Sequence, residues 1–345
     1  MKSTRATALI AGFAAGALAL SGCASSSNAG SGGTTSTSST SAGATTTAGA
    51  ASSGAAAPPA SGSAAPTASG SAGAAPSGGS NSVIIGSANF GESVLLADVY
   101  GAALKAKGVT VTQKPKIGSR EVYISALKDG SIDLIPEYSG TLLAHFDKSS
   151  TAASSDEIFK ALPAAIGNDL KVLAQSKAQD KDSIAVTAAT ASKLNLKTIA
   201  DLKSKAGDLT LGGAPEFKTR ADGVPGLKGK YGVVFGTFKT LDPGGPLSVA
   251  GLKNGQVDAA DLFTTDPAIT ANKFVVLQDP KNLYTAQNVL PLISAKKASP
   301  KVTAALDAVS AKLDTATLIA LNTKVAAGTD PEKVAQEWVK AQGLG

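Results

Sequence analysis

From Ala24 to Ser82 the chain uses only Ala, Ser, Gly, Thr, Pro and Asn, and that tract limits what the rest can do. It carries no charge, no aromatic ring and no branched aliphatic side chain, so it has nothing to bury against the entropy of ordering a backbone. It reads as a tether, whose coil statistics give a root-mean-square span of roughly 40–45 Å. Packing must therefore come from Val83 to Gly345, about 260 residues, enough for one large domain or two lobes of ordinary size. Aromatic residues are only 4% of the chain, so the core must be built from Ala, Val, Leu and Ile. The formal charge is +6, but Lys2 and Arg5 precede the tether and the remaining basic residues are mixed with acidic ones. That pattern argues against nucleic acid as a partner.

Ahead of the tether, Lys2 and Arg5 precede an apolar run from Ala8 to Leu20. The run has the length of an export signal's apolar region and is too short for a comfortable membrane span. It ends in Leu20-Ser21-Gly22-Cys23, which resembles the lipobox of bacterial lipoproteins. That resemblance implies a signal peptide over residues 1–23, lipid modification of Cys23, and a protein anchored outside the cytoplasmic membrane. The tether then occupies 24–82, and its Thr, Ser and Pro content is compatible with O-glycans.

Cys23 and His145 are the only cysteine and histidine. A disulfide needs two cysteines, and zinc sites need several Cys or His ligands at short spacing. His145 stands in no nucleophile-elbow context, since the chain has no G-x-S-x-G. The expectation is a protein with no catalytic residues, no metal and no cofactor.

Beyond Ser82, branched runs alternate with helical periodicity. Val83-Ile84-Ile85 predicts a strand, and Val94, Leu95, Val99 and Leu104 predict a helix from Glu92 to Lys107. Val109–Val111 predicts a second strand, Ser119-Arg120-Glu121 opens a helix through Leu127, and Gly130 sits where a left-handed cap belongs. Leu134-Ile135 is the next strand. Such alternation argues for an α/β fold with mostly parallel sheets. At the far end, Ser299-Pro300, Asp314 and Asp330-Pro331 predict the starts of three helices. Trp338 on the last of these, like Tyr100 and Tyr123 on earlier ones, is expected to pack, while Tyr284 is left unassigned.

A weak internal repeat adds the second constraint. Ala126-Leu127-Lys128-Asp129-Gly130-Ser131-Ile132-Asp133 is echoed by Gly251-Leu252-Lys253-Asn254-Gly255-Gln256-Val257-Asp258. Each copy is a helix that ends at a glycine and turns into an apolar strand, Leu134–Glu137 and Ala259–Phe263. Two lobes of similar design follow. Ligands of open α/β sheets bind beyond the carboxyl ends of the strands, so the loops Pro136–Thr141 and Phe263–Pro267 are where one is expected.

Four segments resemble the extracytoplasmic substrate-binding proteins of ABC importers for osmoprotectants such as glycine betaine, choline and carnitine. They are Ile85-Gly86-Ser87-Ala88-Asn89-Phe90-Gly91-Glu92; Asp133-Leu134-Ile135-Pro136-Glu137-Tyr138-Ser139-Gly140-Thr141; Gly213-Ala214-Pro215-Glu216-Phe217 with Thr219-Arg220 and Tyr231-Gly232; and Thr264-Thr265-Asp266. The resemblance implies a two-lobed periplasmic-binding-protein-like fold, with lobe one over 83–182 and 286–345 and lobe two over 183–285. It implies a monomer that closes on its ligand and delivers it to a membrane permease with ATPase subunits, and no enzymatic reaction.

By the same resemblance, Tyr138, Tyr231 and Phe263 are walls of an aromatic cage for a quaternary ammonium, and Asp180 is a carboxylate near the cation. Such a head group cannot donate hydrogen bonds and is held by cation–π and Coulomb attraction. Thr141 and Arg220 are implied as donors to a ligand carboxylate, with Asn89 at the same site. Three departures stand out: Ala88 where the family commonly has lysine, Asp182 near an expected tyrosine, and Phe263 in place of the final cage tyrosine. They favour a choline-like cation over a zwitterion. A different small polar solute, such as a polyol or a sulfur betaine, or a sensor or adhesin role on the same fold, remain the alternatives.

Overall fold

The computed structural model describes residues 81–345; the expected export signal, Cys23 and the tether up to Ser80 lie outside the described residues. Ten strands in the described residues form two five-stranded sheets. The first contains β1 (Ser82–Ala88), β2 (Thr110–Gly118), β3 (Leu134–Tyr138), β4 (Leu170–Val172) and β10 (Val289–Ser294) in the order β2-β1-β3-β10-β4. The second contains β5 (Asp182–Val186), β6 (Thr210–Gly213), β7 (Thr237–Thr240), β8 (Ala259–Phe263) and β9 (Val275–Val276) in the order β7-β6-β8-β5-β9. Helices α1 (Gly91–Ala106), α2 (Arg120–Lys128), α3 (Ser139–Phe146) and α4 (Ser155–Ile166) follow the early strands of the first sheet. The chain between β5 and β9 supplies α5 (Ala188–Leu194), the single turn α6 (Val224–Gly226), α7 (Pro246–Lys253) and α8 (Pro267–Ala271). Three last helices, α9 (Pro300–Lys312), α10 (Thr315–Ala326) and α11 (Pro331–Ala341), return to the first lobe. None of the described helices is long and apolar enough to cross a membrane.

One strand in each sheet runs against the other four, and the connectivity explains which. β10 is antiparallel to both β3 and β4, and β5 is antiparallel to both β8 and β9. These are the two strands that the chain enters from the opposite lobe, after crossing segments 173–181 and 277–288. All other strands of a sheet point their carboxyl ends at the cleft, so a strand arriving across the cleft must run the other way. Register agrees: Asp182, the first residue of β5, lies opposite Phe263, the last of β8, and Val289 lies opposite Tyr138. The crossing segments also touch each other through an antiparallel bridge between Gln179 and Asn288.

The sequence repeat has one structural job in both lobes. Gly130 and Gly255 take φ of +81° and +68°, the left-handed conformation that ends a helix without a Cβ penalty. Three residues on, each aspartate clamps the neighbouring strand, β1 in the first sheet and β6 in the second. The Asp133 N–H donates to Ile84 O at 2.7 Å and its carboxylate accepts from the Ile84 N–H at 2.9 Å. Asp258 does the same with Thr210, at 2.9 and 2.8 Å. Both clamps need a close approach just beyond them. A Cβ at Gly86 would lie 2.7 Å from Ile117 and Ile132 side-chain atoms, and one at Gly212 would lie 2.6 Å from Leu241.

β2 runs further than its Val109–Val111 core predicts, through Lys114-Pro115-Lys116 to Gly118. It is an edge strand, where a proline costs no ladder bond, and the pairing slips between Gly86 and Ala88 around Lys116 at φ +56°. The predicted C-terminal caps form, with Asp314 and Asp330 accepting from Thr317 and Lys333 N–H groups at 2.7 and 3.1 Å. Trp338 and the fully buried Tyr100 pack in the core of the first lobe, where the Tyr100 hydroxyl meets Ser310 Oγ at 3.0 Å.

Between the lobes lies a hydrogen-bonded carboxylate. Glu92, on the first turn of α1, accepts from the Tyr138 hydroxyl at 2.6 Å through Oε1, and through Oε2 from the Thr265 hydroxyl and the Asn322 amide. Thr265 belongs to the loop after β8, so this carboxylate joins the second lobe to α1, β3 and α10 of the first. Burial pushes the Glu92 carboxyl up, while donors from Thr265, Tyr138 and Asn322 pull it back. We expect Glu92→Ala to cost roughly 3–5 kcal/mol, because it strands the buried Tyr138 and Thr265 hydroxyls and the half-buried Asn322 amide. Glu92→Gln, which keeps acceptor capacity, should cost far less. Urea denaturation of the full chain checks both, and an unchanged midpoint for Glu92→Ala would mean that this tie carries no stability.

Candidate ligand site

The carboxyl ends of β3 and β8 face each other across the cleft, and the repeat places an aromatic residue at the same position in each. Counting from the clamping aspartates, Tyr138 closes β3 as Phe263 closes β8. Between them stands Phe90, in the turn from β1 into α1. Its ring centroid lies 6.1 Å from that of Tyr138 and 4.9 Å from that of Phe263, with ring planes tilted by 33° and 53°. A cavity of about 60 Å³ opens against all three rings, with Asp180 and Gln287 on the crossing segments and Asp182 at the start of β5 completing its wall. A second cavity of about 50 Å³ adjoins it through Phe90, Asp182, Arg220 and Phe263, and extends toward Asn89, Ser119 and Asp261.

Two arginines face this space, and both already have acidic partners. Arg120 opens α2 and is 7% exposed; its Nε and Nη2 donate to the two carboxylate oxygens of Glu137, each at 2.9 Å. Glu137 also accepts from the Tyr123 hydroxyl and from the Tyr138 N–H, each at 2.9 Å, so one buried acid orients an arginine and the backbone of a cage residue together. Burial opposes the Arg120 charge, and Glu137 more than restores it. Arg220, from the second lobe, reaches Glu121 on α2 at 3.4 Å, an exposed and weaker pair across the mouth of the cleft.

The acids are less well compensated. Asp180 is buried and accepts from Thr264 Oγ1 at 3.1 Å and the Thr265 N–H at 3.0 Å. Burial, and then the Glu92 charge, push its carboxyl well above the usual range. Asp182 is pushed up to about 6 by burial and then by Asp222, against the pull of Arg220 and Arg120. Asp261 is also raised, by burial and then by Asp182 and Asp222.

Of the residues expected here, Tyr138, Thr141, Asp180, Arg220 and Phe263 meet at one cavity. Thr141 sits on the first turn of α3, its N–H donating to Gln287 Oε1 at 3.0 Å. Asn89 is exposed at the rim of the adjoining cavity. Tyr231 is not at the cleft: it is 3% exposed in the core of the second lobe, packed with Leu227 and Leu283. Its hydroxyl donates to Asp279 and accepts from the Lys281 N–H, so it pins the start of the returning crossing segment rather than walling a cage. Phe90 and Arg120 were not singled out by sequence. The signal for Phe90 was its place beyond the carboxyl end of the first strand; for Arg120 there was none, because its partner lies in another element.

Residues 81–341 match the family described as the substrate-binding domain of ABC-type glycine betaine transport systems. Over 277 residues the chain is 29% identical to the glycine betaine-binding protein YehZ of Escherichia coli K12, covering 76% of this chain and 90% of that one. Over 277 residues it is 28% identical to a glycine betaine-binding protein of Pseudomonas aeruginosa PAO1, covering 75% and 88%. A solved structure described as a glycine betaine/carnitine/choline ABC transporter shares the fold, with a TM-score of 0.61 at 24% identity over 76% of this chain and 99% of that one. The two-lobed α/β architecture and the family match agree, and the chain belongs to the substrate-binding domains of ABC-type glycine betaine transport systems, as a solute-binding protein and not an enzyme.

Proposed function

We propose that the cleft captures a quaternary-ammonium solute, with a choline-like cation preferred over a zwitterion, and delivers it to a membrane permease driven by ATPase subunits. The observation that carries this reading is three aromatic rings and two raised carboxyls around one small cavity. A methylated ammonium offers no hydrogen bond to be satisfied, and ring faces with nearby acids match it. Tyr138 and Phe263 serve as walls with Phe90 between them, and Asp180 and Asp182 supply the charge. Thr141 and Arg220 stand where a ligand's second polar group would reach, with Asn89 at the rim. Ala88 adds no cation, and Arg120 is already paired with Glu137, so support for a ligand carboxylate is thin.

In this reading lobe one (83–182 and 286–345) closes against lobe two (183–285) by bending the two crossing segments. The protein acts as a monomer, held at the outer face of the cytoplasmic membrane by lipid on Cys23. The tether gives the lobes room to reach the permease.

Isothermal titration of the full chain with choline, glycine betaine, carnitine and tetramethylammonium tests the ligand class. Silence with all four in a folded protein would refute it. Tyr138→Ala should weaken binding about thirtyfold, the equivalent of a desolvated cation–π contact of about 2 kcal/mol. Tyr138→Phe keeps the ring and should retain most of the affinity; equal losses in both variants would place the effect in the Glu92 bond and not in the cage.

Acidity should matter with a definite sign. Asp182 titrates at about 6 in the unliganded cleft, and a bound cation favours its ionised form. Affinity is therefore full above pH about 6 and falls as Asp182 protonates below it. Binding near that pH should release protons, and buffers of different ionisation enthalpy will read this directly. A flat profile from neutral to acid pH would remove Asp182 from the cation's surroundings.

A further inference from the structure

The Asp261 side chain belongs to no tie or clamp described so far. It is 2% exposed, and its Oδ1 accepts no hydrogen bond. A buried carboxylate left this way costs free energy unless something outside the resting fold supplies its partner. Asp261 lies two residues before Phe263 on β8, so both side chains leave the same face of the strand. Antiparallel pairing with β5 sets Asp261 opposite Ile184 and Phe263 opposite Asp182, which puts the two aspartates on one face as diagonal neighbours.

That face reaches the adjoining cavity of about 50 Å³, which Asp261 lines with Asn89, Ser119, Asp182 and Arg220. Space is kept beside it by Gly213 on the neighbouring strand, where a Cβ would stand 3.3 Å from Asp261 Cβ. Behind the cavity, the Tyr284 hydroxyl is a second buried polar atom without a partner, and Asp261 is the foremost charge acting on it. The cavity next door is the one that carries the three rings, and Asp182 lines both.

Resting on the quaternary-ammonium reading of the cage, we propose that Asp261 is a specificity-determining residue: it accepts a hydrogen bond from an O–H or N–H on the ligand's tail, so the site selects a quaternary amine that carries a donor. The cage holds the methylated head, and the tail enters the second cavity, where Asp261 and Asp182 exclude a carboxylate and reward a hydroxyl. The two arginines that also line that cavity, Arg120 and Arg220, are already paired with Glu137 and Glu121.

Three probes separate the parts. Tetramethylammonium has the head alone, choline adds a hydroxyl, and O-methylcholine keeps the tail but caps its donor. In the full chain, choline should bind about tenfold tighter than O-methylcholine, the usual weight of pairing a buried acceptor that is otherwise left unsatisfied. Asp261→Ala should bring that ratio to within about twofold, with Asp261→Asn intermediate because an amide oxygen still accepts. The ratio is the readout, since loss of a nearby charge weakens all three cations alike while only choline loses a bond. Equal affinities for choline and its ether in the wild type, or a ratio that survives Asp261→Ala, would overturn the role of Asp261. If the folded protein binds none of the three, the cage reading itself fails and this one with it.

Discussion

The Glu92 carboxylate connects more of the molecule than any other single group. It begins in α1, takes the hydroxyl of a cage residue from β3, a hydroxyl from the loop after β8 and an amide from α10. The Thr265 bond crosses from the second lobe to the first, so this tie bears directly on how the lobes sit relative to one another. A buried carboxylate that satisfies three donors is directional, and it loses its bonds together if the lobes part. Tyr138 is held by one oxygen of the carboxylate whose other oxygen holds Thr265. The orientation of a cage wall and the closure of the cleft are therefore set by one interaction, which couples what the site recognises to how far the lobes close.

Beneath that tie is a duplicated unit. In each lobe a helix ends on a left-handed glycine, an aspartate clamps the neighbouring strand, and the strand ends in an aromatic ring at the cleft. Because the clamp fixes register, the ring's position follows from the aspartate five residues earlier. Two copies facing each other across antiparallel entry strands place Tyr138 and Phe263 on opposite sides of one cavity. The facing rings are a consequence of the architecture before any ligand is considered.

This is also why so much was legible in the sequence. Alternating strand and helix patterns, the glycine caps and the repeat are local signals, and they pointed to two lobes of similar design and to the paired loops after β3 and β8, while Tyr138 and Phe263 came from the family resemblance. What escaped depends on partners far along the chain. The resemblance implies Tyr231 as a cage wall, but Asp279, on the returning crossing segment, takes its hydroxyl and the ring packs in the core of the second lobe. Arg120 looks like an ordinary helix-start residue until Glu137, 17 residues on in another element, draws it inward. β2 outran its apolar core because an edge strand tolerates Pro115, which no local propensity encodes.

Charge in the cleft has a direction that follows from who is already paired. Each of its two arginines has an acid of its own, Glu137 for Arg120 and Glu121 for Arg220. The remaining acids are raised by burial and then by neighbouring acids, Glu92 for Asp180, Asp222 for Asp182, and Asp182 and Asp222 for Asp261, so ionising them together is unfavourable. A cation entering there relieves repulsion that the fold already carries, whereas an anion would add to it. Since a ligand that binds only the folded, closed form adds to its stability, the same crowding of acids that weakens the empty cleft makes closure conditional on the right cation. Selectivity and closure then draw on one electrostatic source, and neither needs a lysine at position 88.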